Sequence, residues 1–246
     1  MEKIEFSRNL IDHLRKAYSV AVLTGAGISA PSGVPTFRGK DGLWNKFNPE
    51  ELANFEAFNK NPELIWEWYN WRRKLINEVK PNLGHYALVD LENLIQDFTI
   101  VTQNVDNLHQ RAGSKNVIEL HGNIMRNKCI DCGNPYIEDE IDEKNIPNCL
   151  NCNGMIRPDV VWFGELLPED NIKHSQQVAS ETEVFFTIGT SSTVEPAASL
   201  SYLAKGNGAY LVEINPEETP LTHFADESYQ ISADACLPYL IVALEK

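Results

Sequence analysis

Five short apolar runs, each closing on glycine or polar residues, constrain this chain more than any other feature. Val20-Ala21-Val22-Leu23-Thr24 leads into Gly25-Ala26-Gly27, and Thr99-Ile100-Val101-Thr102 into Gln103-Asn104-Val105-Asp106. Val117-Ile118-Glu119-Leu120 leads into His121-Gly122, Val184-Phe185-Phe186-Thr187-Ile188 into Gly189-Thr190-Ser191, and Tyr210-Leu211-Val212-Glu213-Ile214 into Asn215. Short, almost continuous apolar runs suit strands covered on both faces, as in a parallel sheet. Most are separated by helical patterns, the first formed by Phe6, Leu10, Ile11 and Leu14 within residues 6–17. Strand alternating with helix predicts an α/β fold with a doubly wound parallel sheet, whose ligands sit beyond the carboxyl ends of the strands. The polar clusters stand at those ends.

Two segments interrupt the alternation. Residues 39–80 are helical and aromatic-rich, and residues 127–157 carry cysteines amid Gly, Pro and Asn. Both read as insertions, so that the sheet domain comprises 1–38, 81–126 and 158–246. With 43% hydrophobic and 23% charged residues the chain has the balance of a globular protein rather than a disordered one. A formal charge of −14 opposes direct nucleic-acid binding, because phosphates are repelled over most of such a surface, and leaves basic polypeptide partners open. No apolar run approaches the roughly eighteen residues that a membrane span needs. Met1-Glu2-Lys3-Ile4-Glu5 lacks the features of a secretory or transit peptide, so a cytoplasmic protein without membrane partners is expected.

Four of the five cysteines form two pairs, Cys129-x-x-Cys132 and Cys149-x-x-Cys152, separated by sixteen residues. In a reducing compartment such pairs favour metal over disulfides, and each presents two thiolates from one turn toward a tetrahedral zinc ion. Four sulfur ligands leave no open position, which makes the metal structural; iron in the same cage is the alternative. Cys236 stands alone and reads as a small core or near-cofactor residue.

Gly25-Ala26-Gly27 by itself is weak evidence of function, since two glycines after a strand can simply make a tight turn. The third glycine of a dinucleotide fingerprint is replaced by Ala30, and no acidic residue closes a second strand at the expected spacing. The usual dehydrogenase layout is therefore absent. His121 ends an apolar strand, precedes a glycine and titrates near neutrality, as a general base requires. His109, at the start of a helix, reads as structural, and Asp106 has helix capping as its simplest role. On the helix from Ile65 to Ile76, the residues Ile65, Tyr69, Arg72 and Ile76 share one face, apolar except for the phenol and guanidinium. The neighbours one turn away offer Arg72 no carboxylate, so Arg72 either packs its stem along the surface or pairs with an acid from elsewhere.

The motifs Gly25-Ala26-Gly27-Ile28-Ser29, Pro35-Thr36-Phe37-Arg38, Thr102-Gln103-Asn104-Val105-Asp106-Asn107-Leu108-His109, Glu119-Leu120-His121-Gly122, Arg157-Pro158-Asp159-Val160-Val161-Trp162-Phe163-Gly164-Glu165 and Gly189-Thr190-Ser191 together resemble the sirtuins. The resemblance spans nearly the whole chain and departs at Pro31, where the family commonly has Glu. It implies a Rossmann-like domain with an inserted zinc module and a helical insertion forming an acyl pocket. It also implies NAD-dependent removal of acyl groups from protein lysines. On that reading His121, Asn104 and Asp106 are catalytic. NAD is contacted by Gly25, Ala26, Gly27, Ser29, Phe37, Arg38, Gln103, Asn104, Asp106, His121, Gly189, Thr190, Ser191, Asn215 and Cys236. The acyl-lysine peptide adds as a strand between Val160, Trp162, Phe163, Gly164 and Glu165 on one side and Val194 and Glu195 on the other. The family's mechanism has the acyl oxygen attack the ribose carbon as nicotinamide leaves. The histidine then activates a ribose hydroxyl, and O-acyl-ADP-ribose is released. Tyr69, Arg72 and the small Ala53 match the subgroup that removes malonyl, succinyl and glutaryl groups. The alternatives are a deacetylase of broad acyl range, a protein mono-ADP-ribosyltransferase, and a nucleotide-sensing module without turnover.

Overall fold

The computed structural model describes residues 4–36, 52–137 and 141–246. The main sheet is six-stranded and parallel, in the order β3-β2-β1-β7-β8-β9. Its strands are β1 (Ser19–Thr24), β2 (Asp97–Thr102), β3 (Val117–Glu119), β7 (Val184–Ile188), β8 (Tyr210–Ile214) and β9 (Glu227–Tyr229). Five coincide with the expected apolar runs. The sixth, β9, has no apolar run to announce it, because Glu227-Ser228-Tyr229 is an edge strand that stays half-exposed.

Doubly wound packing follows from the alternation of side chains along each strand. Val20 and Val22 of β1 join Ile100, Phe186 and Val212 in a core sealed by helices α1 (Arg8–Lys16), α4 (Leu83–Leu94) and α8 (Ala233–Leu244). Ala21 and Leu23 face the opposite core with Val101, Phe185 and Leu211, covered by α6 (Glu169–Glu181) and α7 (Ala197–Gly206). Helix α1 starts at Arg8 because the Ser7 side chain accepts the Leu10 N–H, an N-cap that leaves Phe6 outside the helix. From β1 the chain winds outward through β2 and β3, then crosses back to β7 on the other flank. The β1/β7 boundary is therefore the topological switch point, where a crevice opens beyond the strand ends.

The second sheet is antiparallel, with order β5-β4-β6, and consists of β4 (Gly122–Cys129), β5 (Pro135–Tyr136) and β6 (Ile156–Val160). Its strands overrun residues 127–157 at both ends, since Gly122 pairs with Val160 and Cys129 with Ile156. The cysteine-bearing segment thus grows directly out of the main domain. Of the helical insertion, the described part is α2 (Phe55–Lys60) and α3 (Pro62–Glu78). Both are capped by Asn side chains, Asn54 accepting from Ala57 N–H and Asn61 from Leu64 N–H. Helix α3 is tied to the small sheet: the Trp66 indole donates to the Ile156 carbonyl at 3.1 Å. Arg73 donates to the Ile124 carbonyl at 2.6 Å and to Asn127 Oδ1 at 2.6 Å. Between α3 and this sheet lies a third core built on Trp66, Phe58, Tyr69, Ile76 and Trp162. Among the described residues no helix is long and apolar enough to cross a membrane.

Candidate active site and metal centre

The ends of β1 and β7 meet through glycine. Gly27 N–H donates to the Gly189 carbonyl at 2.8 Å, and Gly25 N–H to the Ile188 carbonyl at 3.0 Å. A Cβ on Gly27 would come within 2.7 Å of Gly189 Cα, and Gly189 itself has φ +60°. The glycines therefore serve a backbone approach as well as a turn. Thr190 fastens neighbouring strand ends: its hydroxyl accepts from Gln103 Nε2 at 3.0 Å and its carbonyl from Asn215 Nδ2 at 2.8 Å. Ser191 is exposed and hydrogen-bonds Thr193 at 2.9 Å. Of the expected cofactor residues, Gly25, Ala26, Gly27, Gln103, Gly189, Thr190, Ser191 and Asn215 stand at this rim, with Ser29 and Asn104 buried behind it. Phe37 and Arg38 lie outside the described residues. Cys236 is fully buried in the core among α8 side chains, and burial pushes its thiol up to about 12.

Behind the rim is a buried polar layer. Asn104 donates to the Gly25 carbonyl at 3.1 Å and to Ser29 Oγ at 3.2 Å. Asp106 Oδ1 accepts the Leu108 N–H at 3.0 Å, the capping bond foreseen for it, and burial raises its carboxyl pKa against the pull of that bond, Ser29, Arg72 and Arg111. Ser29 also meets His85 Nε2 at 3.5 Å; His85 Nδ1 accepts the Asn82 N–H at 3.3 Å, closing a capping box at the start of α4. The His85 ring lies 5.0 Å from that of His109, whose Nε2 bonds Thr24 Oγ1 at 3.0 Å, and burial holds both imidazoles neutral. His85 escaped the sequence reading, although Asn82 and His85 stand at capping-box spacing.

His121 is placed differently. Its Nδ1 lies 2.9 Å from the Gln103 carbonyl, which only accepts, so the proton sits on Nδ1 and Nε2 is left with its lone pair. Burial lowers its pKa, with the same hydrogen bond opposing. The His121 carbonyl accepts Val161 N–H at 2.9 Å, joining the histidine to the Val160–Glu165 segment. In that segment Phe163 N–H donates to the Ala53 carbonyl at 2.9 Å, Glu165 N–H to the Trp162 carbonyl at 3.0 Å, and Trp162 N–H to the Glu165 carboxylate at 2.7 Å. An added strand must use the groups these bonds leave over. Phe163 and Gly164 are exposed; across the chain, Val194 accepts from Ala198 N–H at 2.9 Å, and the Glu195 carboxylate accepts from the Ser199 N–H at 3.2 Å and from its hydroxyl at 2.6 Å.

Tyr69 and Arg72 emerge side by side from α3, both nearly fully buried despite their polarity. Arg72 stacks over Trp68, with the guanidinium carbon 4.8 Å from the ring centroid, and borders a recess with Val34, Pro35, Leu75 and Ile76. Burial lowers its pKa, and Tyr69 and Asp106 supply the opposing electrostatic attraction. Asp106, just beyond the end of β2, is thus an acid whose charge reaches Arg72. Tyr69 hydroxyl accepts the Trp162 indole N–H at 2.9 Å, and Ala53 lies in the same core.

The cysteine pairs form two matching knuckles. Gly133 N–H returns to the Cys129 carbonyl at 3.1 Å and Asn153 N–H to the Cys149 carbonyl at 2.8 Å, with φ of +71° and +63° at the returning residues. The four sulfurs lie within 4.8 Å of one another, Cys129 and Cys152 at 3.3 Å and Cys132 and Cys149 at 3.7 Å. Tetrahedral zinc with bonds of about 2.3 Å sets sulfurs about 3.8 Å apart, so the donor set fits zinc. All four positions are sulfur, as a closed structural site requires.

A family model described as Sir2 family matches residues 25–196, from the first glycine turn to the start of α7. The chain belongs to the Sir2 family. A relative named NAD-dependent protein deacylase, from Aquifex aeolicus, is 54% identical over 220 residues, covering 89% of this chain and 92% of the relative. A solved Sir2 homologue variant in complex with ADP-ribose superposes with a TM-score of 0.93 at 43% identity, covering 98% of this chain and 97% of that one. A Sir2 homologue bound to NAD superposes at 0.91, also 43% identical, over 100% of this chain and 96% of the other. Both solved structures share the overall fold described above.

Proposed function

We propose that this sirtuin is an NAD-dependent protein-lysine deacylase that prefers acyl groups ending in a carboxylate. Family membership and the deacylase relatives support the first part. NAD is the co-substrate, cleaved to nicotinamide, and the acyl group leaves on ADP-ribose. The rim of Gly25, Gly27, Gly189, Thr190 and Asn215 receives NAD at the switch point, and Asn104, Ser29 and Asp106 face the nicotinamide end. His121, neutral with Nε2 free of its proton, is suited to take a proton from a ribose hydroxyl. The acylated segment of the protein substrate lies along Val160–Glu165, with Val194 and Glu195 opposite.

The acyl preference rests on one observation: a buried arginine and a buried tyrosine lie together on α3 beside a recess and the small Ala53. A guanidinium binds a carboxylate through two parallel hydrogen bonds, and a phenol adds a third. The test is turnover of one peptide carrying acetyl-, malonyl-, succinyl- or glutaryl-lysine, scored by nicotinamide release with and without peptide. Succinyl-lysine is expected to exceed acetyl-lysine, and Arg72→Met to reduce desuccinylation by roughly 2–5 kcal/mol in transition-state terms while deacetylation falls far less. Equal loss of both, or a wild-type enzyme that ignores succinyl-lysine, refutes the preference. Nicotinamide release that needs no acylated peptide indicates ADP-ribosyl transfer, and no release indicates a sensor.

A further inference from the structure

We infer that Trp162 is a specificity-positioning residue, which fixes the direction of the Tyr69 hydroxyl proton so that Tyr69 acts as a donor to the end of the acyl group. This rests on the acidic-acyl reading above and deepens it. The indole N–H has only one role available, donation, and it donates to the Tyr69 oxygen at 2.9 Å. A phenol proton lies near the ring plane on one side of the oxygen or the other. With the Trp162 N–H occupying one side, the Tyr69 proton turns to the other. Among the described residues no acceptor takes it. Tyr69 and the neighbouring Arg72 thus both present donors, which suit a carboxylate and give a methyl nothing to bind.

The indole is held in that orientation. Arg157 lies flat over it, with its guanidinium carbon 3.3 Å from the ring centroid, and Phe58 packs against it with ring centroids 5.2 Å apart. Arg157 is in turn gripped by both carboxylate oxygens of Glu165 and donates to the Val160 carbonyl at 2.7 Å. The same Glu165 carboxylate accepts the Trp162 main-chain N–H at 2.7 Å. Backbone and ring are therefore held by one ion pair, its arginine buried and its carboxylate partly exposed, and the constraint reaches Tyr69 through a single hydrogen bond. A ring present only for packing would need no N–H at this position.

Trp162→Phe keeps an aromatic ring at this position and removes the N–H together with the pyrrole half of the indole. With succinyl- and acetyl-lysine forms of one peptide, the succinyl-to-acetyl ratio of kcat/KM is expected to fall about tenfold, the loss appearing mainly in KM for the succinyl peptide. Tyr69→Phe should lower the same ratio, and the double variant should fall no further than Tyr69→Phe alone, since both remove one donated proton. An unchanged ratio in Trp162→Phe, a loss shared equally by both peptides, or multiplying losses in the double variant overturns the inference. In the folded wild type, the nitrogen-15 resonance of the Trp162 indole should shift more on binding succinyl-lysine peptide than acetyl-lysine peptide. Equal shifts overturn the inference without any substitution. A wild-type enzyme with no succinyl preference overturns the acyl reading and this inference together, whereas a wild-type preference retained by Trp162→Phe overturns only the role of Trp162.

Discussion

The carboxyl edge of the parallel sheet and the small sheet with its helix α3 reach order by different means. At the edge, Gly27, Gly189, Gln103, Thr190 and Asn215 bond one strand end to the next, above two cores that close on both faces of the sheet. The small sheet has a strand of two residues, Pro135–Tyr136, and its tip is gathered by the two cysteine knuckles and by Asn70 of α3, which donates to the Ile141 carbonyl at 3.0 Å. Its inner half is covered by α3, which brings Tyr69 and Arg72 with it. One region is held by its own backbone, the other by a metal and a borrowed helix. The proposed NAD site and the proposed acyl pocket therefore rest on supports of unequal strength.

Metal removal should expose that inequality most strongly. Binding of structural zinc and folding of a small module are one equilibrium, worth on the order of 10 kcal/mol in isolated modules. Chelation, or Cys129→Ala, is expected to unfold the small sheet while the parallel sheet survives. Because Trp66 and Arg73 bond α3 to that sheet, disorder should spread to Tyr69 and Arg72. Hydrogen exchange should show protection lost first in β4, β6 and α3 and retained in β1 and β7. Purified active protein without bound metal, or uniform loss of protection, would refute the division.

The converse break is His121→Ala, which should lower turnover of every acyl peptide by roughly 10²–10⁴-fold and leave zinc content and thermal unfolding near wild type. The wild-type rate should also carry the signature of a base with a lowered pKa: kcat/KM rises with pH through a midpoint below the ordinary histidine value and is flat above it. A midpoint above that value, or near-normal turnover by the variant, would place the base elsewhere.

The same contrast governs what was legible in the sequence. The sheet edge was readable because each apolar run ends in its polar cluster, so periodicity and position coincide; of its strands only Glu227–Tyr229, with no apolar run, went unseen. The zinc ligands were readable because their spacing is local. The acyl region was readable as an amphipathic helix, yet periodicity could not say that Arg72 would feel Asp106, that Trp162 would reach Tyr69, or that Ser29 would meet His85. Those partners are far apart in sequence and converge only when the two sheets are built. The small sheet's true span, Gly122 to Val160, was likewise hidden, because β4 begins almost directly after β3, with only Leu120 and His121 between them.

The smallest effect concerns the buried layer that supports the edge, and it separates the two regions by pH. His85 is fully buried, its pKa is lowered by that burial to about 4, and the unfolded chain titrates near the ordinary 6.5. Between these values the unfolded state binds a proton that the folded state refuses, so stability rises with pH across this window and falls as pH drops through it. The contribution is complete above about 6.5 and fully lost below about 4, and amounts to about 3 kcal/mol from the pKa difference. His109, neutral beside it, acts in the same direction. His85→Gln can keep the bonds to Asn82 and Ser29 without titrating, so it should flatten the fall in stability over this window. Denaturant unfolding of zinc-loaded protein at several pH values, followed by probes in β1 and in β4, measures this directly. If the variant loses stability with falling pH as steeply as wild type and the β4 probe gives way before the β1 probe, the dependence arises in the zinc thiolates instead of in His85 or His109. The small sheet, and not the imidazoles beneath the parallel sheet, would then be the region that acid attacks.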